Sequence, residues 1–277
     1  MPVIALTQEM GSLAPEVGAE VSRRLGLRQT THEVEGHVAD RLQIPRSMIR
    51  RLREGQAGLI ERFKADAEGI ALYSAEEVYV QAAQGDVVLR GWGATCLLRA
   101  VPHVPCVRIT RSLPNRTRWL MEHLDTDDVQ AAQDEVRRSD EAHAARMHQQ
   151  FGVTWGDPLL YDLVLNTDRL SVETCAQQIV DLVARPEFAE TPQSRAAVER
   201  LALEWRIRAA LKNDESVRDV KVTIEPQDGH VALRGIVLSN DERAAIERIV
   251  AAVPGVAGVD NQLRLMGGTR LFSSAKV

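Results

Sequence analysis

Cysteines and aromatic residues are scarce in this sequence. The three cysteines, Cys96, Cys106 and Cys175, lie far apart and match neither a metal-ligand spacing nor a disulfide scaffold. Thiols that are sparse and odd in number are typical of a reducing compartment. No window holds the ~20 consecutive apolar residues that a membrane-spanning helix requires, and the first residues lack the basic and apolar regions of a secretory signal. We therefore expect a cytoplasmic protein without a transmembrane segment.

The sequence also lacks an excess of positive charge. Its 34 Lys and Arg residues are outnumbered by 39 Asp and Glu residues, which gives a formal net charge of −5. A negative net charge gives no overall electrostatic attraction to the phosphates of nucleic acid. We therefore expect no nucleic-acid partner. The length of 277 residues and the 44% hydrophobic content suggest two domains, because single cores stop growing at roughly 250–300 residues.

Through residues 1–185, apolar runs typical of strands alternate with helical periodicities. This order predicts an α/β domain, in which a parallel sheet is flanked by helices. Strands are predicted at 3–6, 86–89, 104–109 and 161–165. Helices are predicted at 14–25, 33–43, 46–67, 75–84, 114–124, 128–150 and 171–184.

The pattern changes after a polar stretch that Pro186 and Pro192 bracket. We predict a linker at 186–193, a small α+β domain at 194–266 and a flexible tail at 267–277. The order in the small domain is helix, strand, strand, helix, strand, with the first helix at 194–211 and the first two strands at 217–224 and 231–237. The dipeptide Asp228-Gly229 predicts a hairpin turn between these strands. Ser239 and Glu242 predict a capping box for the second helix.

A glycine-containing loop joins the first predicted strand to the first predicted helix. In a parallel sheet such a loop lies at the carboxyl edge, where ligands bind, and its amides and the helix N-terminus favour phosphate. The stretch from Gly11 to Gly18 has no lysine, however, and Glu16 adds negative charge. The residues alone therefore favour an ordinary turn between strand and helix, with phosphate binding as the alternative.

Three parts of the chain carry a family resemblance over residues 2–183. They are VIALTQEMGSLAPEVGAEVSRRLGL near the start, VVLRGWGATCLLR followed by HVPCVRITRSLPNRTRWLM, and VRRSDEAHAARMHQQFGVTWGDPLLYDLVLNTDRLSVETCAQQIVDLV. Together they resemble the cytidylate-kinase-like family. The resemblance implies a P-loop-kinase-like parallel sheet flanked by helices, the fold of nucleoside monophosphate kinases. It also implies binding of ATP with Mg²⁺ and phosphorylation of CMP or dCMP.

The resemblance implies roles for single residues. Gly11 and Ser12 match the phosphate loop, with the Ser12 hydroxyl as the magnesium ligand. Arg90 and Trp92 lie where the acceptor nucleotide would bind. The basic lid region and the helix that continues it supply the implied catalytic residues, which are Arg111, Arg116, Arg118, Asp140 and Arg146.

Three positions depart from the family pattern. Trp92 stands where an arginine is common, His143 replaces a second basic residue, and the Asp expected after the first helix falls near Thr31. Each lost cation removes charge-assisted hydrogen bonds worth ~1.5–3 kcal/mol. Two functions therefore remain open. One is a cytidylate-type kinase, and the other is a pseudokinase that holds a nucleotide without turnover and serves regulation or interaction.

The second predicted domain resembles a BON domain. The resemblance rests on GHVALRG at 229–235, the helix after Ser239 and VPGVAGV at 253–259. It implies binding of phospholipid, and a small ligand or a protein partner is the alternative. From Ala196 onward the chain has 12 basic and 11 acidic residues, so this domain lacks the positive patch that anionic lipid favours.

Overall fold

The computed structural model describes residues 1–30, 32–58 and 66–266. The chain forms two compact units that divide between Glu199 and Arg200. Among the described residues, no helix is both long and apolar enough to cross a membrane.

The first unit is built on a five-stranded parallel sheet in the order β2-β3-β1-β4-β5. The strands are β1 (Val3–Gln8), β2 (Arg28–Thr30), β3 (Val87–Arg90), β4 (Cys106–Thr110) and β5 (Leu163–Asn166). The central strand β1 pairs with β3 on one side and with β4 on the other. Because parallel strands end at the same edge of a sheet, the loops after β1, β3, β4 and β5 share one edge.

Eight described helices belong to this unit alone. They are α1 (Ala14–Leu25), α2 (His32–Leu42), α3 (Arg46–Glu54), α4 (Ala67–Gln84), α5 (Ala94–Leu97), α6 (Leu113–Leu124), α7 (Val129–Phe151) and α8 (Val172–Val183). The helices α1 and α8 pack together against the sheet and bury Val17 and Ile179 with Ile4 and Ile109. The helices α4 and α5 contact β3 and β1, respectively. The predicted α/β class, a parallel sheet flanked by helices, is confirmed.

Three details of the sequence prediction differ from the structure. The helix predicted at 46–67 ends at Glu54, because Gly55 adopts a left-handed φ of 73° that terminates it; residues 59–65 of that prediction lie outside the described residues. The helix predicted at 75–84 begins at Ala67, since the Asp66 side chain accepts a hydrogen bond from the Gly69 N–H and caps it. The sequence analysis did not predict the edge strand β2, because its three residues are too few to give a periodic signal.

The second unit has a mixed three-stranded sheet in the order β6-β7-β8. Its strands are β6 (Val222–Gln227), β7 (His230–Val237) and β8 (Gly258–Leu265), antiparallel in the first pair and parallel in the second. The later part of α9 (Pro192–Asn213) and α10 (Asn240–Ala251) pack on this sheet and bury Ile207 and Ile246 with Leu233. The predicted α+β class of this unit is confirmed.

In this region, parts of two predicted segments form other elements than the sequence predicts. The strand predicted at 217–224 begins at Val222, because Val217 lies in a turn where its N–H donates to the Asp214 carbonyl oxygen. The stretch predicted as a linker, 186–193, contains a short 3₁₀ turn at Pro186–Phe188 and the first residues of α9. The predicted tail at 267–277 lies outside the described residues.

Candidate functional site

The loop after β1 is fixed by tight packing. Gly11 has a left-handed φ of 74°. A Cβ there would lie 3.0 Å from Cε3 of Trp119 and 3.2 Å from the Arg116 carbonyl oxygen, so α6 leaves no room for a side chain. On the other side, Thr167 Oγ1 donates a 2.9 Å hydrogen bond to the Ser12 carbonyl oxygen. The loop is thus held between α6 and the end of β5.

This loop offers few donors to an anion. The Ser12 side chain is buried, and its Oγ has no hydrogen-bond partner in the described part of the chain. Pro15, in the first turn of α1, has no N–H, and Glu16 places a carboxylate in the same turn. A helix N-terminus attracts phosphate through its free amides and its dipole. Here Pro15 and Glu16 reduce both contributions.

The accessibility of the Ser12 hydroxyl determines whether a magnesium ion could bind to this loop. Magnesium requires accessible oxygen ligands in a nearly octahedral arrangement, whereas the Ser12 side chain is 0% exposed. Within residues 1–30, 32–58 and 66–266, no group of three or more His, Cys, Asp or Glu side chains is placed to hold a metal ion. The loop therefore does not fit Mg²⁺-ATP held directly by the Ser12 hydroxyl.

Glu9, which directly follows β1, lies at the centre of the basic residues on this side. Its carboxylate accepts hydrogen bonds from Arg108 Nη2 at 2.7 Å, from Thr110 Oγ1 at 2.6 Å and from the Arg111 N–H at 3.1 Å. The Nε of Arg116 lies 3.7 Å from the same carboxylate. An internal carboxylate thus takes the donors that a ligand phosphate would need.

Two further carboxylates pair with the same group of arginines. Arg116, which is 6% exposed, donates two hydrogen bonds to Asp140 at 2.9 and 2.8 Å, a bidentate pair. Arg111 Nε lies 3.8 Å from a carboxylate oxygen of Asp168. We call Arg108, Arg111 and Arg116 the loop-side arginines. Each of them has a carboxylate partner.

A cavity of about 720 Å³ lies between α3, α4, α7 and the turn after β3. Arg53 from α3, Arg146 from α7 and Trp92 from the turn line it. The Arg53 guanidinium lies 3.9 Å from the centroid of the Trp92 ring, and Arg146 Nη2 donates to the Arg53 carbonyl oxygen. Much of the remaining wall is apolar and includes Ile49, Leu52, Ile70, Ala71 and Met147.

Arg53 and Arg146, which we call the cavity arginines, differ from the loop-side arginines in their partners. Neither forms an ion pair with a carboxylate of the described residues. Burial, together with the positive charge of Arg146, lowers the pKa of Arg53 to about 10. Burial also lowers the pKa of Arg146 and that of the nearby Arg90, whose Nη1 donates to Gln8 Oε1 at 2.9 Å. Positive charge therefore gathers at this cavity. Glu68 lines the wall, and the negative charges of Glu35 and Glu54 partly oppose the lowering of the Arg53 pKa, but none of these carboxylates forms an ion pair with Arg53 or Arg146 in the described chain.

His143 does not add to this charge. Burial, and then the positive charges of Arg146 and Arg53, lower its pKa to about 3, so the ring is neutral at physiological pH. Its ring centroid lies 4.2 Å from that of Trp155. Trp155 is 6% exposed. The guanidinium carbon of Arg108 lies 4.2 Å from the centroid of its ring, a cation–π contact. Trp155 is therefore a core residue that lies between the loop side and α7.

The structure places the residues implied by the resemblance in different surroundings. Gly11, Ser12, Arg111, Arg116 and Asp140 lie on the loop side, Trp92 and Arg146 line the cavity, and Arg90 lies near Arg53. Arg118 is exposed and lies at the outer edge of the loop side. Its Nη1 donates to Asn115 Oδ1 at 3.2 Å, and Asn115 in turn donates to Asp168. Thr31 lies outside the described residues.

Sequence reasoning missed three residues that organise these groups, Glu9, Arg53 and Arg108. An arginine inside the apolar strand sequence CVRIT is a usable signal, because a buried charge requires a partner. Glu9 lies two residues before Gly11 and is the carboxylate that precedes the glycine loop in sequence. Arg53 belongs to the basic run RRLR, and nothing in the sequence separates it from a solvated helix face.

The fold defines a kinase-like unit of the nucleotide-binding type. A family profile described as "Cytidylate kinase-like family" matches residues 3–169, and a BON domain profile matches residues 200–267. The chain belongs to the cytidylate kinase-like family and has a BON domain after the kinase-like domain. No curated protein matches the chain.

Solved structures of similar fold cover about two thirds of this chain. The crystal structure of an uncharacterized protein from Eubacterium ventriosum ATCC 27560 is 18% identical, covers 67% of this chain and 100% of its own, and has a TM-score of 0.53. Shikimate kinase from Bacteroides thetaiotaomicron is 15% identical over 66% of this chain and 99% of its own, with a TM-score of 0.43. Shikimate kinase from Acinetobacter baumannii is 12% identical over 66% and 93%, with a TM-score of 0.40. The likeness to the Eubacterium protein shows the fold.

Proposed function

We propose that the first unit binds a nucleoside monophosphate in the cavity and transfers phosphoryl groups from ATP poorly or not at all. The observation that carries this proposal is the contrast between the two sets of arginines. The loop-side arginines are paired with carboxylates, and the cavity arginines have no such partner in the described chain. Family membership supports the ligand class, and CMP and dCMP are the ligands that we propose.

Unpaired guanidinium groups favour an anion in this cavity. Holding Arg53 and Arg146 close together in a half-buried site costs free energy, in keeping with the lowered pKa values of both. A phosphate dianion would accept charge-assisted hydrogen bonds from both side chains, each worth ~1.5–3 kcal/mol. Two such bonds correspond to an affinity roughly 10²–10⁴-fold higher than that of an uncharged ligand.

The size and the wall of the cavity suit a nucleoside. Ligand sites of roughly 300–1,000 Å³ with apolar walls and a few polar groups are typical of small molecules, and this cavity measures about 720 Å³. Gln149 and Gln150 line it beside the apolar residues and offer both donors and acceptors to a pyrimidine base.

The loop side supports the second part of the proposal. Phosphoryl transfer depends on positioning and on neutralisation of phosphate charge by Lys, Arg and Mg²⁺. The loop has no lysine, Pro15 removes one amide, and ATP would have to compete with Glu9 for Arg108 and for the Arg111 N–H. We therefore expect turnover below the ~1–100 s⁻¹ that is typical of kinases.

Two measurements on the full chain test this proposal. A thermal-shift titration should show stabilisation by CMP or dCMP of about 2.7 kcal/mol at a ligand concentration of 100 times Kd, and a smaller effect of ATP. A coupled assay with ATP and CMP, dCMP or UMP should show either no turnover or turnover far below the ~1–100 s⁻¹ of typical kinases. Saturable turnover at kinase rates would establish the active kinase instead. The lack of any shift with a monophosphate would overturn the proposed binding.

For the second unit we propose contact with a phospholipid surface through exposed apolar side chains. Ile236, Leu238 and Met266 are 61%, 68% and 60% exposed, and the Met266 N–H donates to the Val237 carbonyl oxygen, so these residues lie on neighbouring chain segments. Exposed apolar patches mark interaction sites. Binding to phosphatidylcholine vesicles that Leu238→Ser weakens would support this role. A wild-type chain that does not co-sediment with vesicles would contradict it and leave a small ligand or a protein as the partner.

A further inference from the structure

The turn after β3 holds a bulky side chain in a backbone conformation that normally requires glycine. Gly91, Trp92 and Gly93 are all left-handed, with φ values of 80°, 57° and 72°. A left-handed conformation is strained for a large side chain such as tryptophan. Such strain persists only where the surroundings hold it, and it is frequent at ligand sites. The conformation of Trp92 is therefore held by the contacts of its side chain.

The guanidinium group of Arg53 stacks on the ring of Trp92. The guanidinium carbon lies 3.9 Å from the ring centroid, within the range of a cation–π contact. A Cβ at Gly91 would lie 3.1 Å from Arg53 Nη2, so the missing side chain at Gly91 lets the guanidinium approach the turn. The side chain of Arg53 is thus fixed against the turn by two neighbouring residues of β3–α5.

The same arginine is tied to α7 across the cavity. Arg146 Nη2 donates to the Arg53 carbonyl oxygen, which brings the second cavity arginine to the end of α3. Both side chains line the cavity, and neither has a carboxylate ion-pair partner in residues 1–30, 32–58 and 66–266. A ligand phosphate in the cavity can therefore meet both guanidinium groups.

We propose that Arg53, held on the indole of Trp92, is the residue that selects a phosphate monoester over an uncharged nucleoside in this cavity. This inference rests on the proposed function, because it concerns the same cavity and ligand class. Arg53 contacts the phosphate, with Arg146 as its second donor. Trp92 is a positioning residue, because its indole ring keeps the Arg53 guanidinium stacked on it at the wall of the cavity. An arginine at position 92 would bring its charge to the same place.

Titration calorimetry with CMP and with cytidine tests the inference on the full chain. The wild-type chain should bind CMP more tightly than cytidine. Arg53→Gln should weaken CMP binding ~10- to 100-fold, the value of one lost charge-assisted contact, and leave cytidine binding unchanged. Trp92→Leu should weaken CMP binding by a smaller factor. The double variant Arg53→Gln with Trp92→Arg should recover most of the CMP affinity. The exposed Arg137→Gln on α7 is the control that removes the same charge without effect.

The outcomes separate the inference from the function on which it rests. If the wild-type chain binds CMP and Arg53→Gln binds it equally well, the role of Arg53 is refuted and the proposed function stands. If the wild-type chain does not bind CMP, the proposed function is refuted together with this inference. If Trp92→Leu weakens CMP and cytidine equally, Trp92 has a general structural role and its positioning role is refuted. Circular dichroism shows whether each variant is folded. Should Arg53→Gln fail to fold, Arg53→Lys tests the same claim, because its compact ammonium should lose part of the CMP affinity and none of the cytidine affinity.

Discussion

Replacing Glu9 with glutamine removes the negative charge at the centre of the loop-side arginines. The wild-type carboxylate accepts hydrogen bonds from Arg108 at 2.7 Å, from Thr110 at 2.6 Å and from the Arg111 N–H at 3.1 Å. The side chains of Arg108 and Glu9 are 8% and 12% exposed. Breaking a buried ion pair by removing one partner costs ~3–5 kcal/mol. Because the glutamine amide oxygen still accepts one hydrogen bond, we expect about 3 kcal/mol for Glu9→Gln.

Thermal unfolding measures this effect directly. A loss of about 3 kcal/mol corresponds to a Tm lower by roughly 6–12 °C for a unit of this size. Pyrophosphate should then stabilise the variant more than the wild-type chain, because the loop-side arginines have lost their internal anion. The exposed Glu141→Gln on α7 is a control of equal charge change, and we expect almost no shift in its Tm. An unchanged Tm of Glu9→Gln, or a pyrophosphate shift no larger than in the wild type, would refute the reasoning.

Three further variants test the packing and the charges of the site. Gly11→Ala should lower the free energy of unfolding by about 1–3 kcal/mol, because the residue is left-handed and its Cβ would lie 3.0 Å from Trp119; an unchanged urea midpoint would contradict this. Asp140→Asn should cost about 2–3 kcal/mol in urea denaturation because Arg116 loses its bidentate carboxylate; a variant as stable as the wild type would show that the pair contributes little. The pKa of His143 is lowered to about 3, below its unfolded value of 6.5, so the unfolded chain binds more protons between these pH values. Stability should be full above pH 6.5 and fall by up to ~1.4 kcal/mol per pH unit below it. His143→Gln should flatten that decline, and an identical decline in the variant would exclude His143 as its source.

Much of the fold could be predicted because its signals are local. Apolar strands alternate with helical periodicities through the first unit, and this order predicts a parallel sheet flanked by helices. The boundaries that differed depend on single residues whose conformation the pattern does not show. Gly55 ends α3 through a left-handed conformation, and the Asp66 side chain starts α4 earlier than its apolar periodicity indicates.

The composition of the site was harder to predict because its partners are distant in sequence. Glu9 and Arg108 are 99 positions apart and meet only because β1 and β4 are adjacent in the sheet. The sequence pointed to missing cations at Trp92 and His143, but it did not show that Arg53 lies on the Trp92 ring. Which arginine meets a carboxylate and which remains unpaired is decided by tertiary packing.

A crystal structure of the full chain grown with CMP tests the central claim most directly. The account predicts electron density for the nucleotide in the cavity between α3, α4 and α7, with phosphate oxygens within hydrogen-bond distance of Arg53 and Arg146. A phosphate located instead on the loop after β1, in the place that the Glu9 carboxylate holds, would contradict it.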